Sequence, residues 1–375
     1  MKNINIMRII LTGGGTGGHL TPLVAIADKL KAKLGPESNI LYIGSGAEME
    51  SKIMSENGIP ATFVASGKLR RYFSFKNFID IFKLPIGFVQ SLWKIWKFMP
   101  DVIFSKGGYV AVPIVVAGWI YRIPIIIHES DSTPGLANQF LAKFANRIAV
   151  AYPSAEEYFP TEKTALVGNP IRFQVTDGDA IMLRRELEFT ESRKTLLILG
   201  GSQGSKIINN AFVEILPKLL HNFQIIHQTG QENFDNVLSA AAMMGVKNGH
   251  GGYFAAPFMN ANKLRDAFAL SDLVISRAGA TAITEIAANA KPVILIPIAE
   301  SANDHQRMNA YALAKIGAAL VLEESNLGEH ILLENINSIL GNDDLRSSMI
   351  ENIKTFYHPN AAEIIANSII EIARI

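Results

Sequence analysis

RIILTGGGTGGHLTPLVAIADKL (8–30) decides the fold, because the chain states the same theme again as KTLLILGGSQGSKIINNAFVEILPKL (194–219). Each copy reads as a short apolar strand, a glycine loop and a helix. Each is followed by a second short strand ending in glycine, NILYIGSG (39–46) and FQIIHQTG (223–230). The agreement runs on through PDVIFSKGGYVAVPIVVAGWIYRIPIIIHES (100–130) and SDLVISRAGATAITEIAANAKPVILIPIAES (271–301). In both, an Asp precedes a strand, a Ser-basic-small-Gly turn follows, and a helix, a proline-led strand and Glu-Ser come next. Short strands alternating with helices imply parallel sheets covered on both faces. The expected architecture is α/β, two Rossmann-like doubly wound domains. Ligands of such folds bind outside the carboxyl ends of the strands, which predicts a central cleft faced by both sets of glycine loops.

The turn-rich VGNPIRFQVTDGD (167–179) reads as the linker, giving domains at 1–172 and 173–360. The final helix, AAEIIANSIIEIARI (361–375), is amphipathic, with Ile364, Ile365, Ile369 and Ile370 on one side. It has no counterpart in the first half and is expected to return to the N-terminal domain.

Bulk composition narrows the function. A chain of 375 residues with 49% hydrophobic and 18% charged residues can fill two cores. Lys+Arg 35 against Asp+Glu 34 leaves a net charge of +1, which argues against nucleic acid as a partner. There is no cysteine, hence no disulfide and no thiolate metal site. The longest apolar run, VAVPIVVAGWIY (110–121), is interrupted by Pro113 and falls short of the roughly 20 residues a spanning helix needs. The chain reads as cytoplasmic, with any membrane contact peripheral.

The glycine loops suit anions, since amides at a helix N-terminus bind them through directed hydrogen bonds and the helix dipole. Gly13, Gly15 and Gly18 form G-x-G-x-x-G, but a nicotinamide site also needs an acidic residue at the end of the second strand. That strand ends in Gly44, Ser45 and Gly46. Neither loop closes with the Gly-Lys-Ser/Thr of a Walker A motif. His19 stands just past the first loop, where it can serve as general base beside a phosphate or simply hold backbone. Thr281 and Glu285 share one face of the helix that SRAGATAITE opens. There Glu285 can accept two ribose hydroxyls or just complement the dipole. AESANDHQRMNA (299–310) concentrates Asp304, His305, Gln306 and Asn309 beyond an apolar strand. His128, Glu129 and Asp131 cluster in HESDSTPG, yet adjacent strand residues point to opposite faces, which disfavours a metal.

LRRYFSFKNFIDIFKLPIGFVQSLWKIWKFM (69–99) is aromatic and basic, with Asp80 its one acid. Val89, Leu92, Trp93 and Trp96 fall at helical spacing and read as ordinary helix packing. The earlier part, with Arg70, Arg71, Phe75, Phe78, Ile79 and Phe82, fits either core or attachment to an anionic bilayer.

Taken together and in order, GGTGGHLTP, KGGYV, IIHES, VGNPIR, GGSQG, RAGATAITE and DHQRMNA closely resemble the MurG family. These are the bacterial N-acetylglucosaminyltransferases that complete the lipid-linked disaccharide-pentapeptide of peptidoglycan. The resemblance spans almost the whole chain and implies a glycosyltransferase-B fold without cofactor or protein-bound metal. It further implies transfer from UDP-GlcNAc, with inversion, to the C4 hydroxyl of undecaprenyl-diphosphate-muramyl-pentapeptide (lipid I), at the cytoplasmic face of the membrane. Carried over by motif, His19 and Glu129 are the catalytic candidates. Gly15, Thr16, Gly17, Asp131, Arg172, Ser202, Gln203, Met259, Ala280, Thr281, Ala282, Glu285, Gln306 and Asn309 would serve the donor. Gly14, Gly18, Tyr109 and His128 would serve the acceptor, and Trp119 and Lys143 would join the basic-aromatic segment at the membrane. The family's His-Glu-Gln-Asn stands here as His128-Glu129-Ser130-Asp131, and Met259 replaces a smaller aliphatic residue. Two other classes compete: a UDP-GlcNAc epimerase of the same fold, and a non-catalytic two-domain binding protein.

Overall fold

The structure is a computed structural model that describes residues 6–14, 17–35, 38–67, 75–171, 175–201, 203–299 and 304–374, with the side chains of 75–82 excepted. It contains two compact units, residues 1–172 with 358–375, and residues 173–357. The first is built on strands β1 (Arg8–Thr12), β2 (Asn39–Gly44), β3 (Ala61–Phe63), β4 (Val102–Ser105), β5 (Ile125–Glu129), β6 (Arg147–Val150) and β7 (Thr164–Leu166). The second uses β8 (Lys194–Leu199), β9 (Phe223–Gln228), β10 (Tyr253–Ala256), β11 (Leu273–Ser276), β12 (Val293–Leu295) and β13 (Leu320–Val321).

The two sheets run β3-β2-β1-β4-β5-β6-β7 and β10-β9-β8-β11-β12-β13, every pairing parallel. Numbered within its own unit, each begins with the order 3-2-1-4-5-6, so the repeat in the sequence is a repeat in topology. Strand order reverses beside β1 and β8, where doubly wound sheets place their ligands. One hydrogen-bond pair recurs as well. Asp101 accepts the Arg8 N–H at 2.7 Å and donates its own N–H to the Arg8 carbonyl at 2.8 Å. Asp272 does the same with Thr195, at 2.7 and 2.8 Å. In each unit an aspartate thus sets the register between the first strand and its neighbour.

The helix Gly17–Leu34 covers β1 because Leu20, Leu23, Val24, Ala27 and Leu30 recur at helical spacing and are fully buried. The helix Ala361–Ile372 completes the same core through Ile365, Ala366, Ile369 and Ile372. Ile364 turns outward, so the buried face is rotated from the one the isoleucines alone suggest. Lys33–Glu363 and Arg147–Glu371 ion pairs flank it.

Among the described residues, no helix is long and apolar enough to cross a membrane. The second half of the helix Phe75–Phe98 corrects the reading of that segment as core. Val89 is 63% exposed, Trp93 58% and Trp96 61%. The turn of helix that follows the apolar spacing faces outward because Ser91 and Ile95, both buried, form the inner face.

Ile369→Ala removes a fully buried side chain shared by two helices and should cost about 2–5 kcal/mol. Ile364→Ala, on the outer face, should cost within about 0.5 kcal/mol. Urea titration of the two variants checks the contrast, and equal costs would contradict this helix packing.

Candidate active site

At the carboxyl ends of the first unit's strands, polar side chains gather on three loops. β1 runs into Gly13 and Gly14, then into the helix Gly17–Leu34, whose first turn carries Gly18 and a half-buried His19. Pro22 in that helix lacks an N–H and so removes one ladder donor near its start. β4 runs into Lys106, Gly107, Gly108 and a half-buried Tyr109. β5 ends on His128 and Glu129.

Lys106, which sequence reasoning passed over, is the centre of this group. It is buried, its Nζ lies 2.7 Å from His128 Nδ1, and its Cβ presses on Gly13. His128 Nε2 lies 2.9 Å from the Gly168 carbonyl. A carbonyl only accepts, so Nε2 carries the proton and Nδ1 accepts from the lysine. Burial, and then the Lys106 charge, hold the imidazole well below its ordinary pKa, so the ring is neutral. Burial also lowers Lys106, to about 8, while the charges of Glu129 and Asp131 oppose the shift.

Glu129 is likewise committed. Its Oε1 accepts the Asp131 N–H at 2.9 Å, and Oε2 accepts from Gly135 N–H at 3.1 Å and Asn138 Nδ2 at 2.9 Å. Burial and the neighbouring Asp131 charge push its pKa up, while these N–H donors and Lys106 pull it down. Both Glu129 oxygens thus brace the 130–135 turn, and both His128 ring nitrogens have partners within the fold. Asp131 itself is half-buried at the mouth of this cluster.

In the second unit, β8 leads through Gly200, Gly201 and an exposed Gln203 to Ser205, whose hydroxyl caps the helix Lys206–Glu214 by accepting from Ile208 N–H at 3.3 Å. Arg277, just past β11, is buried; its guanidinium donates to the Ser205 hydroxyl at 2.6 Å and the Ile296 carbonyl at 3.1 Å, and pairs with Glu324 at 2.6 Å. Beneath the loop, His227 is buried with Nε2 3.0 Å from Asn209 Oδ1 and Nδ1 3.1 Å from the Tyr253 hydroxyl. Burial lowers its pKa to about 3, so this ring too is neutral.

The helix Ala280–Ala288 begins at Gly279 with no side-chain cap, and Ala280, Thr281, Ala282 and Glu285 are half-buried along its first turns. Gln306 is half-buried and its Oε1 accepts the Ile298 N–H at 3.2 Å. Asn309 is fully buried and donates to the Ala278 carbonyl at 3.3 Å, shaping the turn before the uncapped helix. Met259 has its side chain buried and its N–H accepted by Gln228 Oε1 at 2.9 Å, whereas Phe258 beside it is exposed. Gly15, Thr16, Arg70, Arg71, Arg172 and Ser202, and the side chains of Phe75, Phe78, Ile79 and Phe82, lie outside the described residues. Trp119 is 53% exposed and meets Phe144 edge-on at 5.2 Å; Lys143 is exposed. A groove of about 500 Å³ under the helix Ala361–Ile372 is lined by none of the glycine-loop residues.

The buried lysine makes stability pH-dependent. Its folded pKa of about 8 lies below the ordinary value of 10.5, so between these values the unfolded chain holds more protons. Stability therefore rises with pH over that window. Urea midpoints from pH 7.5 upward should show this rise in the wild type and lose it in Lys106→Met; parallel profiles would contradict it.

Residues 9–150 match the glycosyltransferase family 28 N-terminal domain and residues 195–374 its C-terminal domain. The chain is 42% identical over 336 residues to a Clostridium botulinum protein named UDP-N-acetylglucosamine–N-acetylmuramyl-(pentapeptide) pyrophosphoryl-undecaprenol N-acetylglucosamine transferase, covering 89% of this chain and 91% of that one. The crystal structure of Acinetobacter baumannii MurG superposes with a TM-score of 0.74 at 25% identity, over 97% of this chain and 99% of that one. A UDP-GlcNAc 2-epimerase from Neisseria meningitidis shares the fold at a TM-score of 0.67, with 12% identity over 97% of this chain and 100% of that one. The epimerase is the more distant relative. The chain therefore belongs to glycosyltransferase family 28 and, within it, to the MurG N-acetylglucosamine transferases.

Proposed function

We propose that the chain moves N-acetylglucosamine from UDP-GlcNAc to the muramyl C4 hydroxyl of undecaprenyl-diphosphate-muramyl-pentapeptide, inverting the anomeric centre. What carries the reading is similarity to a named transferase across both units, 89% of the chain. The hydroxyl oxygen bonds to C1 of the sugar as the bond from C1 to the UDP oxygen breaks. The hydroxyl proton passes to His19, a half-buried imidazole in the first turn of the helix Gly17–Leu34. Charge leaving on UDP is met by the second unit, where the uncapped first turn at Ala280, Thr281 and Ala282 has N–H groups to offer. Glu285, one turn on, takes the ribose hydroxyls, and Gln306 with Arg172, Ser202 and Gln203 holds the sugar and diphosphate. Gly14, Gly18 and Tyr109 are assigned to the acceptor, and Gly15, Thr16, Gly17 and Asp131 to the donor.

A lipid-borne acceptor needs a docking face on the enzyme. Val89, Trp93, Trp96, Trp119, Ile120 and Phe140 are exposed apolar groups on the helices Phe75–Phe98, Ala111–Ile120 and Leu136–Leu141 of the first unit. Residues 83–98 carry three lysines and no acid, and Lys97 lies over the Trp93 ring at 5.4 Å. Apolar anchors rimmed by cations fit the anionic cytoplasmic surface of a bilayer.

UDP should be released only when UDP-GlcNAc and a lipid-diphosphate-muramyl acceptor are both present; conversion of UDP-GlcNAc alone would select the epimerase instead. His19→Ala should lower kcat by about 10²–10⁴-fold, the usual worth of a general base, and an unchanged kcat would remove it from that role. Trp93→Ser/Trp96→Ser should weaken co-sedimentation with anionic vesicles while leaving UDP-GlcNAc affinity alone; full retention on the vesicles would place the docking face elsewhere.

A further inference from the structure

Glu50 is a buried carboxylate that the transfer as drawn does not use. It sits in the first turn of the helix Glu48–Glu56, and its Oε2 accepts the Ser45 N–H at 2.7 Å and the Gly46 N–H at 3.1 Å. Oε1 accepts the Ser45 hydroxyl at 2.9 Å. The acid missing from the end of β2 in the sequence is thus supplied from the next helix, but both oxygens are taken, so it is not an open ribose acceptor.

Its other neighbour is the first glycine loop. A Cβ added to Gly14 would stand 2.4 Å from Glu50 Oε1, and one added to Gly44 would stand 2.5 Å from Oε2 and from the Tyr42 hydroxyl. Both approaches are possible only without a side chain. The Tyr42 hydroxyl has one proton, and it donates this to the Gly13 carbonyl at 2.6 Å. Burial, then the charge of Glu50, push the Tyr42 pKa up and keep it a donor; Tyr109 is near enough to add to the shift.

We propose that Glu50 is a positioning residue for the acceptor loop: seated on the amides of Ser45 and Gly46, its carboxylate is the surface on which Gly14 rests, and with Tyr42 it fixes where the chain leaves β1 for the helix that carries His19. This rests on the acceptor reading of that loop. Glutamine at position 50 can keep this seat, its amide oxygen accepting from the Ser45 and Gly46 N–H groups and its N–H₂ donating to the Ser45 hydroxyl, whereas alanine removes the seat altogether.

The test is steady-state kinetics with UDP-GlcNAc and the lipid-linked acceptor, alongside calorimetric UDP-GlcNAc affinity and thermal melting. Glu50→Ala and Gly14→Ala should each lower the kcat of the folded enzyme about 10²-fold, the effect of misplacing a reacting group by about 1 Å, with donor affinity held, and Glu50→Gln should stay close to wild type. A purely structural role would instead lower the melting temperature and spare the kcat of the folded fraction. Glu50→Ala makes room for a methyl group at residue 14, so Gly14→Ala/Glu50→Ala should be no worse than Glu50→Ala alone. Losses that multiply, or wild-type kcat in Glu50→Ala, would overturn the proposal. If Glu50→Ala does not fold, Tyr42→Phe removes the hydroxyl that donates to Gly13 and meets Glu50, and an unchanged kcat there overturns it equally. Failure of the transferase reading would show separately, as no UDP release by the wild type with acceptor present.

Discussion

Gly13 can have no side chain, because a Cβ there would stand 2.8 Å from the Cβ of Lys106. That approach brings the carboxyl ends of β1 and β4 together at the point where strand order reverses, and the first unit's site is built around it. Lys106 donates its N–H to the Thr12 carbonyl at 2.8 Å, so its backbone is fixed by the sheet while its ammonium is fixed by His128. Through His128 the constraint reaches Gly168, and through Asn138 and Glu129 it reaches the 130–135 turn. The second unit repeats the device with a different cation. Arg277 donates its N–H to Leu199 at 3.3 Å and places its guanidinium between Ser205 and Glu324. Where the lysine is a point charge meeting one nitrogen, the arginine's planar fork meets three partners, and so binds together three loops rather than two.

The buried acids of the first unit obey one rule. An ionised carboxylate inside a fold is tolerable only when its oxygens are hydrogen-bonded. Glu50 meets that condition with Ser45 and Gly46, Glu129 with Asp131, Gly135 and Asn138. Oxygens bound this way shape backbone, and in the first unit they hold the turns that leave β2 and β5.

Much of this was legible in the chain itself. The tandem glycine loops, the repeated Asp-strand-turn-helix theme and the closing amphipathic helix announced two parallel α/β sheets, because strand and helix periods are local properties. Thr281 and Glu285 became candidates from the glycine turn that opens their helix, whereas Tyr109 entered only through the family resemblance. Glu50 was not, since a glutamate six residues past a strand looks like any exposed helix start. Lys106 and Arg277 were visible only as the basic residue of a repeated turn, with nothing local to say that they are buried. Trp93 and Trp96 misled in the other direction: their spacing describes a stripe along a helix, and spacing alone does not say whether that stripe faces inward.

The sequence by itself determined the alternation of strands and helices, its repeat in two units, and the family, because glycines, short apolar strands and ordered motifs are properties of neighbours along the chain. Only the tertiary structure decided which polar side chains are engaged inside the fold and which remain half-exposed at its loops. Hydrogen-bond partners such as His128 and Gly168, or Arg277 and Glu324, lie tens of residues apart, and burial is a sum over contacts that no local pattern encodes.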